Sequence, residues 1–139
     1  MMQEAKSPYK FAILIVDDDK MILEVFNKFF KQNNIEVYVA DDTEQALRLT
    51  ALYPHIKIIL TDLYIPKSNI DGKTFARIVI EREPRTVVFA MTGYKDKFLL
   101  DDCLRIGFRD YFVKPVNFSL LLHEVRCACN QIKRWEAIK

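Results

Sequence analysis

Residues 58–66 read IILTDLYIP, an apolar run that is interrupted by a single carboxylate at Asp62. The β-branched residues and the proline that follows predict a buried strand whose last residue emerges into a loop. A carboxylate in that place is poorly solvated and needs a partner or a chemical role. Because open parallel sheets bind ligands at the carboxyl ends of their strands, Asp62 is the first candidate functional residue.

The composition is that of an ordinary globular chain. Its 139 residues suit one domain, and 50% apolar with 29% charged residues is typical of soluble proteins. The net charge of +2 comes from 21 basic and 19 acidic residues that form no blocks, so neither nucleic acid nor a membrane surface is an expected partner. The first ten residues lack a signal-peptide core, so we expect a cytoplasmic protein.

Apolar strand-like segments alternate with amphipathic helical segments along the chain. Strands are predicted at residues 10–16, 35–40, 58–62, 86–91 and 110–113. A helical pattern follows each of them, and the last begins near residue 117. This alternation predicts a parallel sheet covered by helices on both faces, (βα)5, with right-handed crossovers.

Polar side chains follow four of the five predicted strands, namely Asp17 with Asp18, Asp62, Thr92 and Lys114. In a parallel sheet these strand ends meet at one edge. Two carboxylates about 4 Å apart repel by roughly 4 kcal/mol at an effective dielectric of 20, so the cluster needs a cation. Oxygen ligands alone favour Mg²⁺ or Mn²⁺. With Asp62 as the central nucleophile and Lys114 as a second cation, the chemistry indicated is phosphoryl transfer onto a carboxylate.

Five motifs in fixed order carry a family resemblance: Val16-Asp17-Asp18-Asp19, Asp62-x-x-x-Pro66, Asp71-Gly72, Met91-Thr92-Gly93 and Tyr111-Phe112-Val113-Lys114-Pro115. Together they resemble the receiver domain of two-component response regulators over residues 10–130. The resemblance implies a flavodoxin-like (βα)5 fold, a doubly wound sandwich with a five-stranded parallel sheet in the order 2-1-3-4-5. Residues 1–9 would then be an N-terminal extension, and residues 131–139 a C-terminal extension of the last helix.

The same resemblance implies that Asp62 accepts a phosphoryl group. The donor would be a phosphohistidine on a sensor histidine kinase or a histidine phosphotransfer protein. Asp18, Asp62 and the main-chain carbonyl of Tyr64 would bind Mg²⁺ directly, while Asp17 would act largely through water. Lys114 would hold the phosphoryl group.

Switching is implied for two further residues. Thr92 would move toward the phosphoryl group, and Tyr111 would turn inward. Tyr111 would report the change on the face formed by the fourth helix, the fifth strand and the fifth helix. The output partner or output domain is not identified by the sequence.

The chain departs from the family pattern near the phosphoacceptor. Residues 67–70 lengthen the loop before Asp71. Tyr64 and Tyr94 occupy positions that in the family influence how long the phosphoryl group lasts. Because both are large aromatics, we expect them to shield it from water.

Cysteine and histidine give no metal or disulfide pattern. Cys103, Cys127 and Cys129 are odd in number and lack Cys-x-x-Cys spacing, so reduced thiols are expected and no zinc site is indicated. His55 and His123 are far apart and have no ligand motif around them.

The last helix carries a heptad-like apolar seam. Its members are Phe118, Leu121, Val125, Ala128, Ile132 and Trp135. One interpretation is that the first half packs on the sheet and the rest is a frayed tail. The alternative is a dimerising coil that forms a homodimer through the last helix, or a link to an output domain, with Trp135 as an exposed anchor.

Three functional interpretations remain open on sequence alone. The first is a signalling switch that catalyses only its own phosphorylation and dephosphorylation. The second is a receiver module excised from a larger regulator or hybrid kinase. The third is an aspartyl-phosphate phosphohydrolase, which is disfavoured because such enzymes place a second Asp where this chain has Tyr64.

Overall fold

The computed structural model describes residues 10–94 and 96–138, and these form alternating strands and helices. The predicted N-terminal extension at residues 1–9 lies outside the described residues. The elements are β1 (Ala12–Val16), α1 (Lys20–Gln32), β2 (Val37–Ala40), α2 (Thr43–Leu52), β3 (Ile56–Asp62), α3 (Gly72–Arg82), β4 (Val87–Thr92), α4 (Lys97–Ile106), β5 (Asp110–Val113) and α5 (Phe118–Glu136).

The five strands form one parallel sheet in the order β2-β1-β3-β4-β5, which confirms the predicted topology. The central strand β3 pairs with β1 on one side and with β4 on the other. Its last residues lie in register with both neighbours, because Thr61 is opposite Val16 and Asp62 is opposite Met91. The register therefore brings the ends of three strands to one place on the sheet edge.

The strands are apolar throughout because both faces of the sheet are covered. In β1, Ile13 and Ile15 face a core shared with α1 and α5, while Leu14 and Val16 face a second core shared with α2, α3 and α4. All five residues of β1 are buried. Burial on both faces is what produces continuous apolar runs rather than alternation in parallel sheets.

The apolar seam of α5 packs on the sheet along its whole length. Leu121, Val125, Ala128 and Ile132 are buried, and Trp135 is half-buried against the same core. The second half is therefore not a frayed tail, and Trp135 is not an exposed anchor. A dimerising coil along this seam would require α5 to leave the sheet. Among the described residues, none of the helices is long and apolar enough to span a membrane.

The start of α3 lies directly against the main chain of Asp62. A Cβ atom added to Gly72 would lie 2.1 Å from the carbonyl oxygen of Asp62 and 2.8 Å from the Cα atom of Leu63. The N–H of Gly72 donates to the carbonyl of Leu63 at 3.1 Å, and Asp71 caps the helix by accepting from the N–H of Thr74. The Asp71-Gly72 pair thus fixes how closely α3 approaches the end of β3.

We expect Gly72→Ala to lower the free energy of unfolding by about 1–3 kcal/mol, since the added methyl group overlaps backbone atoms that cannot rotate away. Urea denaturation measures this difference. The matched control is Gly93→Ala, because a Cβ atom there meets nothing within 4 Å. Equal stability of the Gly72 and Gly93 variants would contradict the close approach.

Candidate functional site

An ammonium group lies between two carboxylates at the carboxyl edge of the sheet. The Nζ atom of Lys114 donates to Oδ2 of Asp17 at 2.8 Å and to Oδ2 of Asp62 at 2.6 Å. Asp17 follows β1, Asp62 ends β3 and Lys114 follows β5. The parallel topology therefore assembles three of the predicted site residues, which are far apart in sequence.

The other oxygen of each carboxylate is held by the main chain. Oδ1 of Asp17 accepts from the N–H of Asp19 at 2.9 Å, and Oδ1 of Asp62 accepts from the N–H of Tyr64 at 3.0 Å. Each carboxylate thus has one oxygen on a loop amide and one on Lys114. This arrangement fixes the orientation of both carboxylate planes.

Burial makes the charges in this site interdependent. Asp17 is 0% exposed and Asp62 is 7% exposed. Burial raises the pKa of Asp17, although the hydrogen bonds from Lys114 and from the N–H of Asp19 act to lower it. Burial alone would lower the pKa of Lys114, but hydrogen bonds to the two carboxylates and their charges outweigh it, so the pKa is raised. Lys114 therefore carries its positive charge at neutral pH.

The acidic triplet after β1 divides into different roles. Asp17 is buried, Asp18 is half-buried, and Asp19 is exposed and caps α1 by accepting from the N–H of Met21 at 2.9 Å. A helix cap is the ordinary role of an aspartate in that position. This leaves Asp17 and Asp18 as the two members of the triplet without a capping role.

The oxygen donors at the site suit a hard divalent cation. Carboxylates of Asp17, Asp18 and Asp62 with a main-chain carbonyl make a donor set typical of Mg²⁺. In the described part of the chain, no group of three or more His, Cys, Asp or Glu side chains is arranged to hold a metal ion. Lys114 instead lies between two of the carboxylates, so the donor chemistry fits while the arrangement would have to open.

A second polar group lies at the end of β4 and is linked to Tyr111. The hydroxyl of Thr92, which is 1% exposed, accepts from the N–H of Tyr94 at 3.2 Å. The hydroxyl of Tyr111 donates to the carbonyl of Tyr94 at 2.7 Å. Burial raises the pKa of Tyr111, and a hydrogen bond with Thr92 acts in the opposite direction. The backbone of Tyr94 therefore joins the buried threonine to the half-buried tyrosine.

The link through Tyr94 could not be predicted from the sequence. It is made by the N–H and the carbonyl of the main chain, which every residue except proline carries. The side chains of Tyr94 and Tyr64 are 64% and 63% exposed. Both lie in loops that follow strands of the site. Their proposed shielding of a phosphoryl group remains a prediction.

An apolar groove lies beside Lys114 and was not predicted from the sequence. It has a volume of about 600 Å³ and runs between α1 and the start of α5. Met21 and Val25 line it and are 77% and 53% exposed. The groove is thus an open apolar surface next to the site.

Comparison with known proteins identifies the family. The family described as the response regulator receiver domain matches residues 13–126. The chain belongs to this family. It therefore contains a signalling domain of two-component systems, as the motifs predicted.

Relatives place the receiver domain in several protein contexts. The chain is 29% identical over 109 residues to a cyclic di-GMP phosphodiesterase of Thermotoga maritima, covering 78% of this chain and 28% of that one. It is 26% identical over 121 residues to a putative NtrX-like response regulator of Rickettsia bellii, covering 87% and 25%. The chain thus spans about a quarter of the length of these relatives.

A solved structure confirms the fold. The signal receiver domain of an HD domain-containing protein from Pseudomonas fluorescens superposes with a TM-score of 0.84 at 23% identity, covering 99% of this chain and 100% of that one. At this identity the likeness establishes the flavodoxin-like architecture alone.

We expect Asp17→Asn to raise the free energy of unfolding of the receiver domain by about 1 kcal/mol at pH 7 without divalent metal, because it removes a buried charge. Lys114 keeps its bond to Asp62 in this variant, and the amide oxygen can still accept from Asp19. Urea denaturation at several pH values measures the difference, with Asp101→Asn on the exposed face of α4 as the control.

The sign of the pH dependence follows from the raised pKa of Asp17. Protonated Asp17 contributes stability that is fully present below the pKa of about 3.9 that the group has in the unfolded chain. This contribution is lost as the pH rises through the higher pKa that Asp17 has in the folded protein. The difference in free energy of unfolding between Asp17→Asn and the parent should therefore be small at acidic pH and largest at neutral pH. A variant less stable than the parent at pH 7 would mean that the ion pair outweighs the cost of burial.

Proposed function

We propose that the chain is a Mg²⁺-dependent phosphoacceptor that takes a phosphoryl group onto Asp62 from a phosphohistidine. The donor is a sensor histidine kinase or a histidine phosphotransfer protein. The observation that supports this most is the 2.6 Å contact between Lys114 and Asp62 at the edge of the sheet. An ammonium in that position is placed to neutralise oxygens of a phosphoryl group joined to Asp62.

The reaction is a displacement at phosphorus. A carboxylate oxygen of Asp62 forms the new P–O bond, and the P–N bond to the donor histidine breaks with its electron pair left on the imidazole. Lys114 then moves from a carboxylate oxygen to a phosphoryl oxygen. Because Oδ1 of Asp62 is held by the N–H of Tyr64, the carboxylate keeps its orientation during the exchange.

Mg²⁺ would be held by Asp18, Asp62 and the main-chain carbonyl of Tyr64, with Asp17 acting largely through water. When bound, the cation supplies positive charge that offsets the charge of the transferred oxygens. Mn²⁺ satisfies the same oxygen donors. Lys114 would have to give up its contact with one of the two carboxylates for these residues to hold the cation.

The donor protein reaches Asp62 across the apolar groove beside Lys114. Exposed Met21 and Val25 on α1 offer the apolar contacts, and the groove continues to Pro115 after the site lysine. A partner seated there would bring its histidine to the open edge of the sheet. Because Asp17 and Asp62 do not line the groove, a partner seated there would not cover the nucleophile.

Signal output uses the link through Tyr94. A phosphoryl group on Asp62 would give the Thr92 hydroxyl a charged acceptor to which it can donate, so the hydroxyl turns toward that group and gives up the bond it accepts from the N–H of Tyr94. The loop then releases Tyr111, which turns inward and changes the face formed by α4, β5 and α5. An output partner or output domain binds that face in one state only.

In this proposal the chain does not turn over external substrates. It catalyses only its own phosphorylation and the hydrolysis that returns Asp62 and inorganic phosphate. Tyr64 stands where phosphohydrolases of the aspartyl-phosphate type carry their acid-base carboxylate.

Incubation with Mg²⁺ and a small phosphodonor should add about 80 Da to the intact mass of the parent, the mass of one phosphoryl group. Asp62→Asn should show no gain, and Asp101→Asn on the exposed face of α4 should behave as the parent. Chelation of the metal should abolish the gain in the parent.

Two outcomes would each contradict one part of the proposal. A gain that survives in Asp62→Asn would place the acceptor elsewhere. A gain of equal rate after chelation would remove Mg²⁺ from the proposal and leave the acceptor in place.

A further inference from the structure

A histidine and a cysteine meet on the outer surface of α5, away from the phosphoacceptor. The Sγ atom of Cys127 lies 3.7 Å from Nε2 of His123. His123 is exposed and Cys127 is half-buried. Their spacing of four residues places both side chains on one face of the helix, one turn apart.

The separation of the two atoms matches that of two ligands on one zinc ion. With Zn–S near 2.3 Å and Zn–N near 2.0–2.1 Å at a tetrahedral angle, sulfur and nitrogen lie about 3.6 Å apart. The spacing is also the one at which paired histidines on a helix bind zinc. A thiol that donates to an imidazole makes the same contact, and titration with a metal ion separates the two cases.

Cys127 differs from the other two cysteines of the chain. Cys103 and Cys129 are 0% and 1% exposed, and burial raises the pKa of Cys103 to about 11 and that of Cys129 to about 12. Those two remain protonated and enclosed. Cys127 is the cysteine whose sulfur lies next to a second metal ligand and within reach of another molecule.

We propose that His123 and Cys127 are half of a zinc site that a second copy of the chain completes. Within residues 10–94 and 96–138, no third His, Cys, Asp or Glu side chain joins them in a group that could hold a metal. A copy related by a two-fold axis contributes the same pair, which gives two cysteines and two histidines in a closed tetrahedral site.

Charge and surface both suit a second copy as the occupant. Each thiol loses its proton on binding, so two thiolates balance the charge of Zn²⁺ and the completed site is neutral. Leu120 is 48% exposed and lies one turn before His123, so it adds an apolar contact to the same face. The dimer thus uses the outer face of α5, while the apolar seam of the helix stays on the sheet.

Cobalt is the probe, because it replaces zinc and has an electronic spectrum. Titration is done with reduced protein, a phosphine reductant and excess Mg²⁺, which occupies oxygen sites. We expect a thiolate charge-transfer band and intense tetrahedral bands that saturate at one metal per two chains and are lost when Zn²⁺ is added. Sedimentation velocity should show a dimer at the same ratio.

The variants His123→Ala and Cys127→Ser should each lose the tetrahedral bands and the dimer. His55→Ala is the matched control and should keep both, since His55 contacts Glu36 instead. Asp62→Asn should also keep both, so this result is independent of the proposed phosphorylation.

Three outcomes would overturn the proposal. They are a spectrum without the thiolate band, saturation at one metal per monomer, and a metal-dependent dimer that persists in both ligand variants.

Discussion

The contact on which the site depends is the Lys114 ammonium held between two buried carboxylates. Without it, Asp17 and Asp62 would face each other where water cannot screen them, at a cost of roughly 4 kcal/mol for charges about 4 Å apart at an effective dielectric of 20. The sheet places the three groups by topology alone, because β1, β3 and β5 are parallel and end at one edge. The fold therefore brings two carboxylates that repel each other to this edge, and Lys114, which follows the last strand, offsets their repulsion.

The same contact links stability to function. Under the proposed function, a divalent cation would compete with Lys114 for the two carboxylates, and the oxygens of a phosphoryl group would compete with the carboxylates for Lys114. Buried charge of this kind costs stability, and proteins keep such groups where activity requires them. The rest of the chain makes that cost tolerable by covering both faces of the sheet with apolar helices.

Much of the fold and of the site could be predicted, because short stretches of sequence show both the strands and the polar residues that follow them. Continuous apolar strands, four of the five followed by a polar site residue, indicated a parallel sheet and its functional edge, and the sheet order is confirmed. The surface against which the apolar seam of α5 packs could not be predicted, since a heptad-like pattern is the same whether a helix packs on its own sheet or on a partner. The packing of Trp135 required the tertiary structure.

Other features were hidden for different physical reasons. The role of Tyr94 depends on its main-chain groups, and the need for Gly72 depends on where the backbone of Asp62 lies. His123 and Cys127 match no motif noted in the sequence, and the structure shows the Sγ atom of Cys127 3.7 Å from Nε2 of His123. Contacts made by the backbone and pairs of side chains on a helix surface are thus difficult to predict from residue types.

The central claim is that Asp62, and not Asp17, is the carboxylate beside Lys114 that becomes phosphorylated. Borohydride reduces an acyl phosphate to an alcohol and so converts a phosphorylated aspartate to homoserine. Peptide mass mapping after phosphorylation and reduction should find homoserine at position 62 and nowhere else. Homoserine at position 17 or 18, with position 62 unchanged, would contradict this account of the site.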